Sequence, residues 1–127
     1  MTTVLDASAL VMLLTGQVGA ADVEQFDDAM VAPDLMLGEV GNGLRRATLR
    51  GVVGRDLAPT LLQQLLEMPI ELEPSGALIE RAFEMLDNLS VPDACYVALA
   101  EQRSCRILTS DARLARAPGL TVPFTVI

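Results

Sequence analysis

The sequence predicts an α/β protein in which helices cover both faces of a mostly parallel sheet. Two observations predict this class. Short β-rich runs alternate with helical segments in the rhythm β-α-α-β-α-α-β-α-α-β-α-β, and this alternation is typical of parallel sheets. In addition, 51% of the 127 residues are apolar, which is enough for the core of one domain. We therefore expect residues 1–127 to form a single domain.

The first half of the chain predicts two strands and four helices. Thr2–Leu5 is β-rich and leads at once into an apolar helix from about Ser8. Pro33 suits the first turn of a helix, because proline needs no donor there. Gly41 and Gly43 interrupt that helix, each at a cost of about 1 kcal/mol relative to alanine. The other elements expected here are a helix over residues 20–30 with Val23, Phe26 and Met30 inward, a strand at residues 31–32, and a helix over residues 55–67.

The second half predicts three strands and three helices. Ser75 is expected to cap a helix that turns Phe83 and Leu86 inward, and Pro92 begins the next helix. The remaining elements expected are strands at residues 69–73, 105–109 and 122–127 and a short helix over residues 111–117.

The charged residues limit the possible chemistry. The net charge is −8, from 17 acids and nine bases, and all nine bases are arginine. Because histidine is absent, the usual general base and the commonest metal ligand are both missing. Acid–base or metal chemistry must then use Asp, Glu, Tyr, Cys or bound water. The acidity favours a basic partner and argues against a high-affinity, non-specific nucleic-acid binder. The low aromatic content of 3% argues against a protein that grips single-stranded bases mainly by stacking.

The cysteines and the apolar segments indicate a cytoplasmic protein. Cys95 and Cys105 are too few for a disulfide scaffold, and free thiols suit a reducing compartment. The N-terminus lacks the basic region of a signal peptide. The longest apolar run, residues 7–14, is far too short to cross a bilayer, so no membrane association is expected.

Four acidic residues do not fit an ordinary solvated surface. Asp6 ends the first strand and Asp111 follows the strand near residue 109, where parallel α/β sheets bind ligands. Glu39 and Asp93 lie on helices beside apolar residues. Each acid alone also has an ordinary explanation: Asp93 and Asp111 suit helix caps, Glu39 suits a solvated helix face, and Asp6 can cap its own helix.

The four acids predict a metal site if they converge. Their mutual repulsion in a cleft would be severe, and the chain has no lysine to relieve it. Mg²⁺ binds carboxylate oxygens, keeps several waters and bridges to phosphates. The set therefore predicts metal-dependent phosphate chemistry, with water activated by the ion.

Four ordered motifs resemble the PIN domain, and they are closest to its VapC-like branch, the ribonuclease toxins of toxin–antitoxin pairs. They begin at Val4, Leu37, Pro92 and Leu108 and read VLDASALV, LGEVGNGLRR, PDACYVALAE and LTSDARL. Together they cover essentially the whole chain, in order and with suitable spacing.

The resemblance implies a fold, a site and partners. It implies a three-layer α/β/α sandwich with about five strands, and cleavage of structured RNA such as tRNA or rRNA. It implies a homodimer and a VapB-like antitoxin that covers the acidic cleft. The acids implied to be catalytic and to hold Mg²⁺ or Mn²⁺ are Asp6, Glu39, Asp93 and Asp111.

Nearby polar residues are secondary candidates for binding substrate or completing the ligand shell. Thr109 and Ser110 precede Asp111 and can contact phosphate or a metal-bound water. Asn42 lies one turn after Glu39 on the same predicted helix face. The remaining side chains that we consider are Arg45, Arg46 and Arg113, each as an RNA-phosphate contact or as a solvated surface arginine, Ser8 as a helix cap rather than a nucleophile, and Tyr96 as a core or dimer packing residue.

Competing functions fail on specific residues or stay open. A response-regulator receiver needs a late lysine, which the chain lacks, and a haloacid-dehalogenase phosphatase needs an aspartate where Ser8 stands. A PIN fold that no longer cuts RNA and serves only as a binding module is the remaining alternative.

Overall fold

A computed structural model describes residues 1–127 and contains five strands and seven α-helices. The predicted alternation of strands and helices is confirmed. In chain order the elements are β1 (Thr2–Leu5), α1 (Ala7–Leu14), α2 (Ala20–Val23), β2 (Ala29–Pro33), α3 (Met36–Leu49), α4 (Ala58–Glu67), β3 (Ile70–Glu73), α5 (Ile79–Phe83), α6 (Val91–Arg103), β4 (Arg106–Thr109), α7 (Ala112–Ala115) and β5 (Phe124–Val126). Short 3₁₀ turns lie at Glu24–Phe26 and Ser75–Ala77.

The strands form one parallel sheet in the order β3-β2-β1-β4-β5. From β1 the chain moves to one side through β2 and β3, and it then crosses back to β4 and β5 on the other side. Because parallel crossovers are right-handed, the helices of the first group cover one face and those of the second group cover the opposite face. Accordingly, α1, α3 and α4 contact one another, and α5 packs on α6.

The core is built on β1, β4 and the helix α6. Seven consecutive residues of α6, from 94 to 100, are buried, because this helix packs against β1, β2 and β4 on one side and α5 on another. Burial of one large apolar side chain contributes about 1.5–3 kcal/mol. The central position of β1 therefore holds Leu5, and with it the next residue, Asp6, in a rigid setting.

The contact between α1 and α3 is unusually close. The helix α3 runs unbroken from Met36 to Leu49, so Gly41 and Gly43 lower its helix propensity without breaking it. A Cβ built on Gly43 would lie 2.7 Å from Cγ2 of Val11 on α1, whereas one on Gly41 would meet nothing within 4 Å. Glycine at position 43 thus lets the two helices approach, and this packing offsets the lower helix propensity.

Two local predictions around β2 are wrong. The helix predicted over residues 20–30 ends at Val23, and Met30 lies in β2 paired with Thr3. Pairing with the central strand thus overrides local helix preference. Pro33 ends β2 rather than beginning α3. It is still paired with Glu73 of β3, where the N–H of the next residue, Asp34, makes the bond to the Glu73 carbonyl. Its own missing N–H faces β1 beyond Val31, the last residue of β2 paired with that strand, so no ladder bond is lost.

Two further predictions on the outer helices are also wrong. Ser75 does not cap a helix; its hydroxyl instead donates a hydrogen bond to Asp34 and accepts one from the backbone N–H of Leu35. Phe83 and Leu86 are 62% and 54% exposed rather than inward, because α5 is too short to turn its full apolar set toward the core. None of the seven helices combines the length and apolar character needed to cross a lipid bilayer.

Candidate active site

The carboxyl ends of β1 and β4 meet at the point where the sheet order reverses. Neighbouring connections leave this point toward opposite faces, and the resulting crevice is where open parallel sheets bind ligands. A cavity of about 470 Å³ opens there, within the range of small-molecule sites. Four carboxylates line it, and we call it the acidic cavity: Asp6, Glu39, Asp93 and Asp111.

Asp6 is the most buried of the four acids, with 6% of its surface exposed. Its Oδ2 accepts hydrogen bonds from the hydroxyls of Ser8 and Thr109, both at 2.6 Å. Its side chain makes no capping bond to α1, so the capping explanation does not hold. Burial raises the pKa of the carboxyl, the two hydroxyls oppose that rise, and the charge of Asp93 adds to it.

Ser8 and Thr109 form a polar link between α1 and β4. Their hydroxyl oxygens lie 3.1 Å apart. The oxygen of Ser8 accepts the backbone N–H of Ser110 at 3.0 Å, and that of Thr109 accepts the backbone N–H of Asp111 at 2.9 Å. The loop after β4 is therefore fixed to the first turn of α1. Ser8, predicted as a helix cap, thus makes this link instead.

Glu39 is held by a phenol from the protein core. Tyr96 on α6 is fully buried, and its hydroxyl donates to Oε1 of Glu39 at 2.6 Å. Burial raises the pKa of Glu39, and the charges of Asp6 and Asp93 raise it further, while the Tyr96 hydroxyl opposes the rise. Burial and the adjacent carboxylate hold the pKa of Tyr96 far above its usual value, so it stays a donor. The prediction of a purely packing role for Tyr96 missed this contact.

Asp93 and Asp111 differ in how far their carboxylates are engaged. Ser90 caps α6 by accepting the backbone N–H of Asp93 at 3.3 Å, so the carboxylate of Asp93 is free to face the cavity. Asp111 does cap α7: its Oδ1 accepts the backbone N–H of Arg113 at 2.9 Å and lies 3.4 Å from Nε of Arg113. Capping therefore accounts for one oxygen of Asp111 and for none of Asp93.

The secondary candidates divide between the cavity and other surfaces. Thr109 is buried beside Asp6, and Ser110 lines the cavity. Asn42 is exposed and does not line it, Arg45 lines a separate cleft between α3 and α4, and the side chain of Arg113 is 88% exposed. The arginines that do line the acidic cavity are Arg46 and Arg50. Arg46 and Arg50 follow Glu39 by seven and eleven residues, a spacing that places all three on one face of a helix, and this spacing could have identified them from the sequence.

The donor set of the acidic cavity suits a hard divalent cation. It consists of carboxylate and hydroxyl oxygens, which Mg²⁺ and Mn²⁺ prefer, with no imidazole or thiolate. No three acidic side chains come close enough to bind one ion together, in keeping with the contacts that hold Glu39 to Tyr96 and Asp111 to α7. An ion held directly by one or two carboxylates and through water by the others fits this arrangement, because Mg²⁺ usually keeps several waters.

Sequence comparison relates the chain to a family of known ribonucleases. A model of the PIN domain matches residues 3–120. A VapC ribonuclease of Mycobacterium bovis is 35% identical over 124 residues, which cover 98% of this chain and 97% of that protein. Ribonuclease VapC1 of Mycobacterium tuberculosis is 38% identical over 121 residues, covering 92% of this chain and 91% of the relative.

Solved structures share the fold at low sequence identity. VapC20 of Mycobacterium tuberculosis, described as a sarcin–ricin loop cleaving toxin, aligns with a TM-score of 0.68 at 18% identity, covering 94% of this chain and 96% of the other. The VapBC2 complex of Rickettsia felis, bound to a promoter DNA fragment, contains a chain that aligns with a TM-score of 0.67 at 14% identity, covering 98% of both.

Proposed function

The chain belongs to the PIN domain family, and from that premise we propose that it is a metal-dependent endoribonuclease, the toxin of a toxin–antitoxin pair. One observation carries the proposal. Four acids from four separate segments line one cavity at the switch point of the sheet, and only Asp111 has an arginine within ion-pair distance. The burial of Asp6, unfavourable by itself, supports a cation as the missing partner.

PIN-domain ribonucleases of the VapC type generally depend on a divalent metal ion. For this chain we propose Mg²⁺, with Mn²⁺ as a substitute, held by Asp6, Glu39, Asp93 and Asp111. When bound, such an ion supplies charge stabilisation at the phosphodiester and lowers the pKa of a water molecule toward neutrality. The absence of histidine is consistent with this chemistry, which needs no imidazole base.

The protein groups around the cavity orient the carboxylates. Ser8 and Thr109 occupy Oδ2 of Asp6, so its other oxygen is left for the cavity. Tyr96 likewise occupies Oε1 of Glu39 and leaves Oε2. These two carboxylates thus each present one defined oxygen to the cavity. Such preorganisation lowers the free-energy cost of binding a cation. Of the two residues before Asp111, Ser110 lines the cavity and is proposed to contact a phosphate or a water there, whereas the buried Thr109 positions Asp6.

The proposed substrate is a structured RNA, tRNA or rRNA. Single-stranded loops of such molecules expose the phosphodiester that an enzyme must reach, and one structural neighbour is described as cleaving the sarcin–ricin loop. The proposed partners are a VapB-like antitoxin, as in the VapBC2 complex, and a second copy of the chain. Two groups of exposed apolar side chains support association with other chains, one on or beside α4 and one on or beside α5: Leu57, Leu62 and Leu66, and Ile79, Phe83 and Leu86.

The experiment pairs RNA cleavage with metal binding. The purified protein is incubated with total cellular RNA and Mg²⁺ or EDTA, and the new RNA ends are mapped. We expect discrete Mg²⁺-dependent cleavage that Asp6→Asn abolishes and Asp87→Asn preserves, because Asp87 is an exposed acid outside the cavity. Titration calorimetry should detect Mg²⁺ binding to the wild type and to Asp87→Asn only.

The alternative of an inactive binding module makes a different prediction. A scaffold with an intact acidic cavity would bind Mg²⁺ and retain its partners, but it would leave RNA ends unchanged. Unchanged ends in a metal-replete reaction with folded protein would therefore refute the nuclease. Cleavage that persists in the Asp6→Asn variant would instead reject the acidic cavity as its source.

A further inference from the structure

The arginines of this acidic chain are unevenly used. Four of the nine form ion pairs with carboxylates: Arg81, Arg103, Arg106 and Arg113. The other five have no carboxylate oxygen within 4.0 Å, and their side chains donate no hydrogen bond: Arg45, Arg46, Arg50, Arg55 and Arg116. Four of these five come from α3 and the segment just after it. Unpaired positive charge is thus concentrated beside one helix.

Two of the unpaired arginines line the acidic cavity. Arg46 and Arg50 are exposed, lie one helical turn apart, and border the same cavity as the four acids. We call this pair the basic wall. Side chains four residues apart on a helix are neighbours, with Cβ atoms about 5–6 Å from each other. The cavity therefore presents carboxylates on one side and two free guanidinium groups on another, and it is open to a ligand between them.

Helix stabilisation does not fully explain this placement. A positive charge near the C-terminus of α3 interacts favourably with the helix dipole, by about 0.3–1 kcal/mol. That effect would be the same whichever way the side chains faced. The basic wall instead borders the only cavity that holds the four acids, and guanidinium groups match phosphate oxygens in geometry and charge.

The chemistry of the cavity favours a phosphodiester chain over an acidic peptide. An acidic peptide that reached the basic wall would bring further carboxylates toward Asp6, Glu39 and Asp93, which already line the cavity, and the like charges would repel one another. A nucleic-acid strand carries one charge per phosphate, so one phosphate can face the carboxylate-held cation while its neighbours face arginine. Both sides of the cavity are then satisfied at once.

We propose that Arg46 and Arg50 bind the phosphates that flank the scissile phosphodiester of the RNA and hold the strand across the acidic cavity. This proposal rests on the nuclease function, because it assigns the strand-binding side of the same site. It also explains how a protein with a net charge of −8 can bind RNA. The two arginines of the basic wall attract the RNA phosphates locally, although the protein as a whole repels them.

The test measures RNA affinity against salt concentration. The probe is a fluorescein-labelled single-stranded 20-mer of uridine (about the length of a large loop and its flanks), and all proteins carry Asp6→Asn so that the RNA stays intact. The double variant Arg46→Ala/Arg50→Ala is compared with Arg55→Ala/Arg116→Ala, which loses the same charge from unpaired, exposed arginines outside the cavity. The charge-preserving variant Arg46→Lys/Arg50→Lys serves as the rescue.

The expected result separates the two double variants. Loss of two phosphate contacts should weaken binding by about tenfold at low salt and reduce the slope of log affinity against log salt by about 1.4, since each contact to a single strand contributes about 0.7. The control should stay within about twofold of its parent, and the lysine variant should recover most of the slope. Circular dichroism verifies folding; if the double variant is unfolded, Arg46→Ala and Arg50→Ala are each judged against Arg116→Ala.

Three results would overturn the proposal. Equal weakening by both double variants would assign the effect to net charge, and unchanged binding would remove RNA as the ligand. Loss of binding to a labelled poly-glutamate peptide, with RNA binding intact, would assign the basic wall to an acidic partner. Failure of the nuclease function is a separate outcome: it would appear as uncleaved RNA with the wild type, even where the salt slope still depends on Arg46 and Arg50.

Discussion

Replacing Gly43 with alanine tests whether the close approach of α1 and α3 sets the geometry of the acidic cavity. Asp6 precedes α1 and Glu39 lies on α3, so the spacing of these helices fixes the distance between the two acids. The new methyl group would lie 2.7 Å from Cγ2 of Val11. Valine in a helix has one strongly preferred rotamer, so the strain must be relieved mainly by movement of the helices.

The expected magnitude follows from two opposing effects. Alanine in place of glycine favours a helix by about 1 kcal/mol, and an extra methyl in a packed contact costs about 1–3 kcal/mol. The matched variant Gly41→Ala gains the first without the second, because its Cβ would meet nothing within 4 Å. The two variants should thus differ in unfolding free energy by about 1–3 kcal/mol, which corresponds to a difference in Tm of roughly 3–15 °C for a chain of this size.

Thermal unfolding followed by circular dichroism measures the stability difference, and the RNA-cleavage rate measures the effect on the site. Gly41→Ala should be more stable than the wild type and cleave at the same rate. Gly43→Ala should be less stable than Gly41→Ala and cleave more slowly, by up to about 100-fold, since a misplacement near 1 Å can cost that much. A Gly43→Ala variant as stable and as active as Gly41→Ala would refute the reasoning.

Three further predictions concern the carboxylates and their partners. In metal-free buffer Asp6→Asn should have a higher Tm than the wild type, because burial disfavours the charge of Asp6, and added Mg²⁺ should raise the Tm of the wild type only; differential scanning calorimetry checks both. Tyr96→Phe removes only the hydroxyl that holds Glu39, so we expect a loss of about 1 kcal/mol in unfolding free energy and about tenfold in cleavage rate, measured by denaturant unfolding and single-turnover kinetics. The pKa values of Asp6 and Glu39 are raised above the ordinary 3.8 and 4.5. As the pH falls through the raised values, Mg²⁺ affinity should therefore fall in titration calorimetry. Metal-free stability should rise over the same window, because the folded state then binds more protons than the unfolded state; a flat stability profile would contradict this.

The sequence was sufficient to predict the class of fold but not its local boundaries. The alternation of strands and helices follows from the spacing of apolar residues, which can be read from a single sequence. The local pattern predicted a helix at Met30, but its strand conformation comes from pairing with Thr3 of β1, a long-range contact that local pattern does not show. Phe83 and Leu86 were predicted to be inward on one longer helix, but α5 ends at Phe83, and hydrophobic period alone does not locate that end.

The sequence predicted the acids of the candidate site but not the side chains that hydrogen-bond to them. Asp6 and Asp111 follow strands, so the rules for parallel sheets bring them to one edge without any coordinates. The hydroxyl of Tyr96 reaches Glu39 across 57 positions of sequence, and only the packing of α6 against α3 reveals that contact. Arg46 and Arg45 are adjacent in the sequence, and a rotation of about 100° along the helix decides which one borders the cavity.

The order of the strands has a consequence for how the protein is made. The hydrogen bond from Thr109 to Asp6 joins residues 103 positions apart, and β1 must wait for β4 before both of its edges are paired. A nascent chain on the ribosome therefore carries an open strand edge and scattered carboxylates until residues near 111 have emerged and docked. Because Asp111 lines the acidic cavity and Thr109 holds Asp6 in it, the site cannot be complete before the C-terminal part of the chain has been synthesised, and a partner that binds the finished cavity has that interval in which to be made.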